Sequence, residues 1–193
     1  MTDPKAAREA SLVERRELLD AGGIQRALRR IAHEIVERHA PHGKDGLLLV
    51  GIRSAGVPLA ARLGQMVAEA GGIPAALGAI DITLYRDDVF VGLPKPEVGS
   101  TELPGHSIEG RRVILVDDVL FSGRTIRAAL DALMDYGRPR AVELAVLVDR
   151  GHRELPIQPD YVGLSVETTL AQSVKVTLSE LGGTDRAVLR EKQ

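Results

Sequence analysis

Val113-Ile114-Leu115-Val116-Asp117-Asp118-Val119-Leu120-Phe121-Ser122-Gly123-Arg124-Thr125 is the stretch on which the fold turns. Val113 to Val116 is a continuous, largely β-branched apolar run. Such a run reads as a strand buried on both faces, the kind found in parallel sheets. Asp117 and Asp118 end it, a small-residue loop follows, and Ile126 to Tyr136 reads as a helix. In open α/β sheets the carboxyl end of a strand is where ligands bind. Backbone N–H groups at the helix start, with the Ser122 and Thr125 hydroxyls, make an anion cradle. Gly123 lets the backbone approach closely. Acceptors for hydroxyls or a hydrated metal thus stand beside donors for a phosphate. On the residues alone, a phosphosugar site and a structural turn both remain open. A P-loop is excluded, because no Gly-Lys-Ser/Thr is present in the loop.

The same alternation extends outward. Leu47 to Val50 is a second buried strand, followed by the tight turn Gly51 to Gly56 and a helix from Val57 to Ala70. Ala75 to Leu84 and Ala141 to Val148 read as further strands, and Tyr161 to Val176 as short strands and turns. Before them, Asp20 caps a helix from about Gly22 to His39, with Ile24, Leu28, Ile31 and Ile35 on one face. Strands alternating with helices predict an α/β fold, a doubly wound and mainly parallel sheet flanked by helices. Residues 1–19 are strongly charged and read as an extension, either a frayed helix or a disordered tail. Residues 20–193 form one domain. Within it, 87–110 lacks a period and reads as a flexible loop, and 150–180 as a small hood.

Bulk composition narrows the classes. A chain of 193 residues with 44% hydrophobic and 27% charged residues fits one ordinary globular domain. Aromatics are only 3%, so the core must be aliphatic. There is no cysteine, which excludes disulfides, thiolate metal sites and a Cys nucleophile. A net charge of −2 advertises no global affinity for nucleic acid. No apolar run approaches the ~20 residues of a membrane span, and the N-terminus lacks an apolar signal region. The expectation is a cytoplasmic protein with no membrane partner.

The 113–125 segment resembles, at every position, the signature that binds 5-phosphoribosyl-1-pyrophosphate (PRPP) in type I phosphoribosyltransferases. Two further blocks, Asp81 to Asp88 and Leu144 to Pro156, are similar to the PyrR family, as is the helix around Arg26 to His33. That family joins a pyrimidine-operon attenuation regulator, which binds leader mRNA, to a uracil phosphoribosyltransferase. The resemblance runs from about Asp20 to Tyr161. It implies that Asp117 and Asp118 hold the ribose hydroxyls, directly or through hydrated Mg²⁺. It implies that Val119, Leu120, Phe121, Ser122, Gly123, Arg124 and Thr125 form the phosphate loop. Ile52, Arg53 and Ser54 match the pyrophosphate loop, where Arg53 neutralises the leaving group. Tyr85 and Arg86 open the catalytic loop. Asp149, Arg150, Tyr161 and Val162 stand near the base, Tyr161 equally readable as a packing residue. Arg26, Arg29, Arg30, His33, His152 and Arg153 match the RNA-binding face. Uracil, UMP and UTP are the implied ligands besides PRPP, and a homodimer or higher homo-oligomer is implied.

Three departures stand out. Ser54-Ala55-Gly56 replaces the family's Thr-Arg-Gly, removing a cation where pyrophosphate leaves. Gln158 and Leu164 replace two cations of the late segment. Ser165 to Thr169 replaces Asn-Val-Pro-Thr-Ser. The first predicts weak turnover and the second weakened RNA binding, since each lost phosphate contact removes a counterion-release contribution. Two alternatives follow: a nucleotide-sensing homologue with weakened RNA binding, or a phosphoribosyltransferase for another base.

Overall fold

The computed structural model describes residues 12–39, 47–71, 74–87 and 99–192. Five strands make the central sheet: β2 (Leu47–Ile52), β3 (Ala75–Ile80), β4 (Arg112–Leu120), β5 (Ala141–Asp149) and β6 (Tyr161–Ser165). Their order is β3-β2-β4-β5-β6 and every pairing is parallel. Helices α1 (Ala21–His39), α2 (Gly56–Gly71) and α3 (Arg124–Met134) connect or flank them. Residues of α1 and α2 share one apolar cluster with Leu47, Leu49, Ile114 and Val116. Residues of α3 share the other with Leu48, Val50, Val113 and Leu115. Alternation along each strand thus feeds both faces, and helices cover both, as the doubly wound reading requires. Leu115 is wholly buried, so its truncation to Ala costs about 2–5 kcal/mol.

α1 begins where Asp20 predicts. Its Oδ1 accepts the Gly23 N–H at 2.6 Å, satisfying a helix-start donor. A second sheet of three antiparallel strands packs beyond it: β1 (Leu12–Leu19), β8 (Arg186–Lys192) and β7 (Gln172–Thr177). The assignment of Leu12–Leu19 to a frayed helix or tail is therefore corrected. These residues pair with β8, and the charged run Glu14-Arg15-Arg16-Glu17 faces solvent while the leucines at either end are half-buried. Arg186 of β8 bonds Glu14 of β1 at 2.8 Å. Two strand ends also differ. β3 stops at Ile80, and Thr83–Tyr85 form a 3₁₀ turn whose first N–H bonds the Asp81 carboxylate at 2.8 Å. β4 does not end at the acids but continues through them to Leu120, pairing with β5 as far as Asp149.

Candidate active site

Strand order reverses direction between β2 and β4, so the loops after these strands diverge and leave a crevice at their carboxyl ends. Gly56 closes the distance between them. A Cβ there would meet the Val116 carbonyl oxygen at 2.2 Å, so no other residue fits without displacing the backbone. The turn carrying Arg53 is thereby pressed against Asp117. The N-terminal ends of α2 and α3 both open at this crevice and bias it toward anions.

Asp117 is buried, 7% exposed, and Asp118 is half-buried beside it. The Asp117 carboxylate accepts the Asp118 N–H at 3.0 Å, and that of Asp118 accepts the Val119 N–H at 2.9 Å. Burial, then the neighbouring Asp118 charge, pushes the Asp117 carboxyl well above the usual carboxylate range. Burial pushes Asp118 up as well. Two carboxylates held together without a cation are costly, and they favour whatever brings positive charge. The donor set fits Mg²⁺, which takes few carboxylates and keeps its waters and substrate oxygens. Among the described residues no group of three or more His, Asp or Glu side chains could cage a metal without such help.

The loop after the acids is braced from behind. Glu154 and Leu155 donate their N–H groups to the Ser122 carbonyl at 2.9 and 3.2 Å. Gly123 sits at φ 90°, a left-handed conformation that turns the chain into α3. Arg86, Ser122, Arg124 and Thr125 line a cavity of about 220 Å³ together with Asp87. Arg124 bonds Glu154 at 2.6 Å and Asp87 at 3.0 Å. Arg127, which was not singled out in the sequence, also bonds Asp87 and the Tyr85 carbonyl. Its signal was present, because residues three apart share a helix face with Arg124. Tyr85 itself donates its hydroxyl to Asp135.

Arg53, across the crevice, donates Nε to the Ser100 carbonyl at 2.8 Å and Nη2 to Glu102 at 2.8 Å. Its peptide bond to Ser54, which is exposed, is cis, and Ile52 beside it is buried in the core. Of the loop expected over 87–110, residues 88–98 lie outside the described residues. Its two ends meet the site, Asp87 at Arg124 and Ser100 with Glu102 at Arg53.

Several expected site residues are placed elsewhere. The Val119 and Leu120 side chains pack into the two cores. Tyr161 is 1% exposed and opens β6 opposite Ala145, some residues short of the carboxyl edge. Its hydroxyl donates to Glu143 at 2.5 Å and lies 3.3 Å from His39 Nε2, so the packing reading holds. Val162 pairs with Val146 and packs against the core. Arg150 is buried; it stacks 4.1 Å over the Phe121 ring and donates to Thr168 Oγ1, the Thr169 carbonyl and the Gln172 carbonyl. It ties the Thr168–Gln172 segment to the loop that holds Phe121. Asp149 is held by Arg153 at 2.6 Å, and Arg153 also bonds the Phe121 and Ile157 carbonyls. Arg153 is thus committed to the fold. So is Arg30, which caps the free edge of β6 through the Val162 and Gly163 carbonyls. His152 contacts the Thr168 carbonyl at 2.6 Å. Arg26, Arg29 and His33 remain on the exposed side of α1.

The model of the Phosphoribosyl transferase domain family matches residues 14–180. Among known proteins, a bifunctional protein PyrR of Pelotomaculum thermopropionicum is 53% identical over 92% of this chain and 97% of its own. One of Streptomyces coelicolor is 55% identical over 93% and 91%. Among solved structures, the hypoxanthine phosphoribosyltransferase of Trypanosoma cruzi superposes with a TM-score of 0.70 at 18% identity, covering 93% of this chain and 98% of that one. At that identity the likeness speaks for the fold alone.

Proposed function

The chain belongs to the phosphoribosyltransferase family, among the bifunctional PyrR proteins, and from that premise we propose what each part of the site does. The reaction is transfer of phosphoribose from PRPP to uracil, giving UMP and diphosphate, and the same nucleotide site reports uridine nucleotides to a pyrimidine-operon leader mRNA. The observation that carries this reading is the buried Asp117 with the half-buried Asp118, lying directly before the Ser122–Thr125 turn at the mouth of the crevice.

Asp117 and Asp118 accept the ribose 2′- and 3′-hydroxyls or water of a bound Mg²⁺. The Ser122–Thr125 backbone and hydroxyls hold the 5′-phosphate at the start of α3. Arg53 faces the diphosphate as charge accumulates on it. Mg²⁺, when bound, supplies charge neutralisation for the departing diphosphate. No side-chain nucleophile is needed, since positioning and electrostatics suffice for an oxocarbenium-like centre. The substrate's phosphate must displace Asp87 from Arg124, so binding at this end is linked to the segment that Asp87 begins.

The RNA half of the reading rests on Arg26, Arg29 and His33, since Arg30 and Arg153 are bonded within the fold. With Gln158 and Leu164 also uncharged, RNA affinity is lower and its salt dependence shallower than a fully basic face gives. UMP formation from uracil and PRPP with Mg²⁺, measured beside the Asp117→Asn/Asp118→Asn variant, tests the assignment. Activity lost in the variant supports it. No turnover and no UMP binding by the natural chain would remove it.

A further inference from the structure

Among the described residues Arg150 is the one arginine that the fold buries, at 6% exposed. No carboxylate bonds it. Its Nε donates to Thr168 Oγ1 at 3.2 Å, and its Nη2 to the Thr169 and Gln172 carbonyls at 3.0 and 2.6 Å. Thr168 Oγ1 donates back to the Arg150 carbonyl at 3.0 Å. On the other side its Cζ stands 4.1 Å from the centre of the Phe121 ring. Burial lowers its pKa with no acid beside it to raise it, whereas Asp185 and Glu180 raise that of Arg62. A buried cation without an opposite charge is costly, and an apolar side chain of similar volume avoids that cost. What the guanidinium does that an apolar side chain cannot is bond two segments together.

One segment is the loop after β4; the other is the chain between β6 and β7. β5 and β6 end side by side, Asp149 opposite Ser165, at the same edge of the sheet as the crevice. Thr168 and Thr169 follow β6 at that edge. Among the described residues their hydrogen bonds beyond 168–172 go to Arg150 and His152. β5 lies on the far side of β4 from β2. On the transferase reading, on which this inference rests, the diphosphate faces Arg53 after β2. Displacement with inversion at a sugar carbon brings the nucleophile to the face opposite the leaving group. The base therefore enters from the β5 side, where Thr168–Gln172 stands.

We infer that Arg150 is a positioning residue for the base: it acts through Thr168 and Phe121, fixing the wall that meets the base to the loop that holds the 5′-phosphate. It touches no substrate itself. The phosphate loop has braces of its own, Arg153 on the Phe121 carbonyl and the Glu154 and Leu155 N–H groups on the Ser122 carbonyl. Loss of Arg150 therefore falls on the base and spares the ribose and phosphate contacts.

The test is calorimetric titration of the full chain with UMP and, separately, with ribose 5-phosphate. It compares the natural protein with Arg150→Met, Arg150→Lys and Thr168→Val. Met keeps much of the volume over Phe121 and loses every donor; Val matches Thr in shape and leaves the Arg150 charge in place. UMP affinity should fall about tenfold in Arg150→Met and about threefold in Thr168→Val, while ribose 5-phosphate affinity stays within about twofold in both. Arg150→Lys should fall between the natural chain and Arg150→Met. Retained ribose 5-phosphate affinity shows that a variant is folded at the site, and Thr168→Val carries the test if Arg150→Met does not fold. A fall shared by both ligands assigns Arg150 to the fold or the phosphate loop and overturns the inference, as does UMP affinity that no variant changes. A natural chain that binds UMP no more tightly than ribose 5-phosphate overturns it and leaves the transferase reading standing. A natural chain that binds neither ligand removes that reading, and this inference with it.

Discussion

Two groups of acids in this molecule are treated in opposite ways. Asp117 is buried and Asp118 half-buried beside it, with no cation bonded to either among the described residues, and burial raises both carboxyls. Asp185 and Glu180, which anchor the loop before β8, are both bonded by Arg62 of α2, at 2.5 and 2.6 Å. Hydrogen bonds from Arg62 lower the Asp185 carboxyl to about 2, and lower Glu180 as well. The second group is satisfied by the fold. The first has no such partner among the described residues. A charge without a partner among the described residues is a better pointer to function than the presence of charge itself.

The comparison breaks most sharply under substitution. Asp117→Asn/Asp118→Asn should lower UMP formation by about a thousandfold or more, since on the proposed reading two charges that would meet ribose and metal are lost together. Its thermal midpoint should hold or rise, because the amides end a buried like-charge contact. Turnover and a melting curve on one preparation check both halves. A large loss of stability would mean that the pair serves the fold. Arg62→Met should do the reverse. It strands Asp185 and Glu180 and should cost about 1–3 kcal/mol in denaturant unfolding, while turnover per folded molecule stays near that of the natural chain.

The same contrast shows what was legible in the sequence. Val113–Val116 could be read because a continuous apolar run needs no distant partner to be recognised. The acid pair and Gly123 followed from their place after that run. Leu12–Leu19 could not be read, because its charged pattern becomes a strand only through β8, whose residues lie at the other end of the chain. The contacts of Arg150, expected near the base, and of Arg153, expected on the RNA-binding face, were hidden for the same reason. Within the fold they bond Thr168 to Gln172 and the Phe121 carbonyl, set by tertiary packing. Tyr161 was misplaced by direction: a parallel β6 starts at the amino-terminal side, so its first residue lies away from the carboxyl edge. Arg62 left no local trace, since Asp185 is 123 residues away.

Between these extremes stands the Arg53 turn, where Ala55 occupies a position that is cationic in the resembling family. Ala55→Arg adds a charge at the mouth of the crevice, near Arg53, whose own guanidinium is shared with Glu102. Ala55 is half-buried against the apolar cluster of α1 and α2, so the arginine must extend its head group into the crevice; a charge reaching a departing diphosphate from there contributes about 1 kcal/mol, and kcat/KM should rise by roughly threefold to tenfold. Steady-state kinetics against PRPP reads this directly. An unchanged or lower kcat/KM would show that the turn does not face the diphosphate.

The smallest effect is the pH dependence of stability, in which the two acid groups pull in opposite directions. Asp185 has its folded-state pKa depressed to about 2 by Arg62. Its contribution is therefore present above the ordinary carboxylate range and is lost as pH falls from about 4 toward 2. Asp117 and Asp118 have folded-state values raised by burial. Within their window the native state binds more protons than the unfolded chain, so lowering pH through the raised values stabilises the protein. Descending from neutral pH, denaturant unfolding should show a gain that Asp117→Asn/Asp118→Asn abolishes. Below about pH 4 it should show a loss that Arg62→Met diminishes. Both slopes are modest, because Asp185 is reached by solvent and water screens its pairing. If the variant lacking the acid pair keeps the gain, the raised carboxyls are not its source. The two groups would then differ in position but not in how the fold treats their charge.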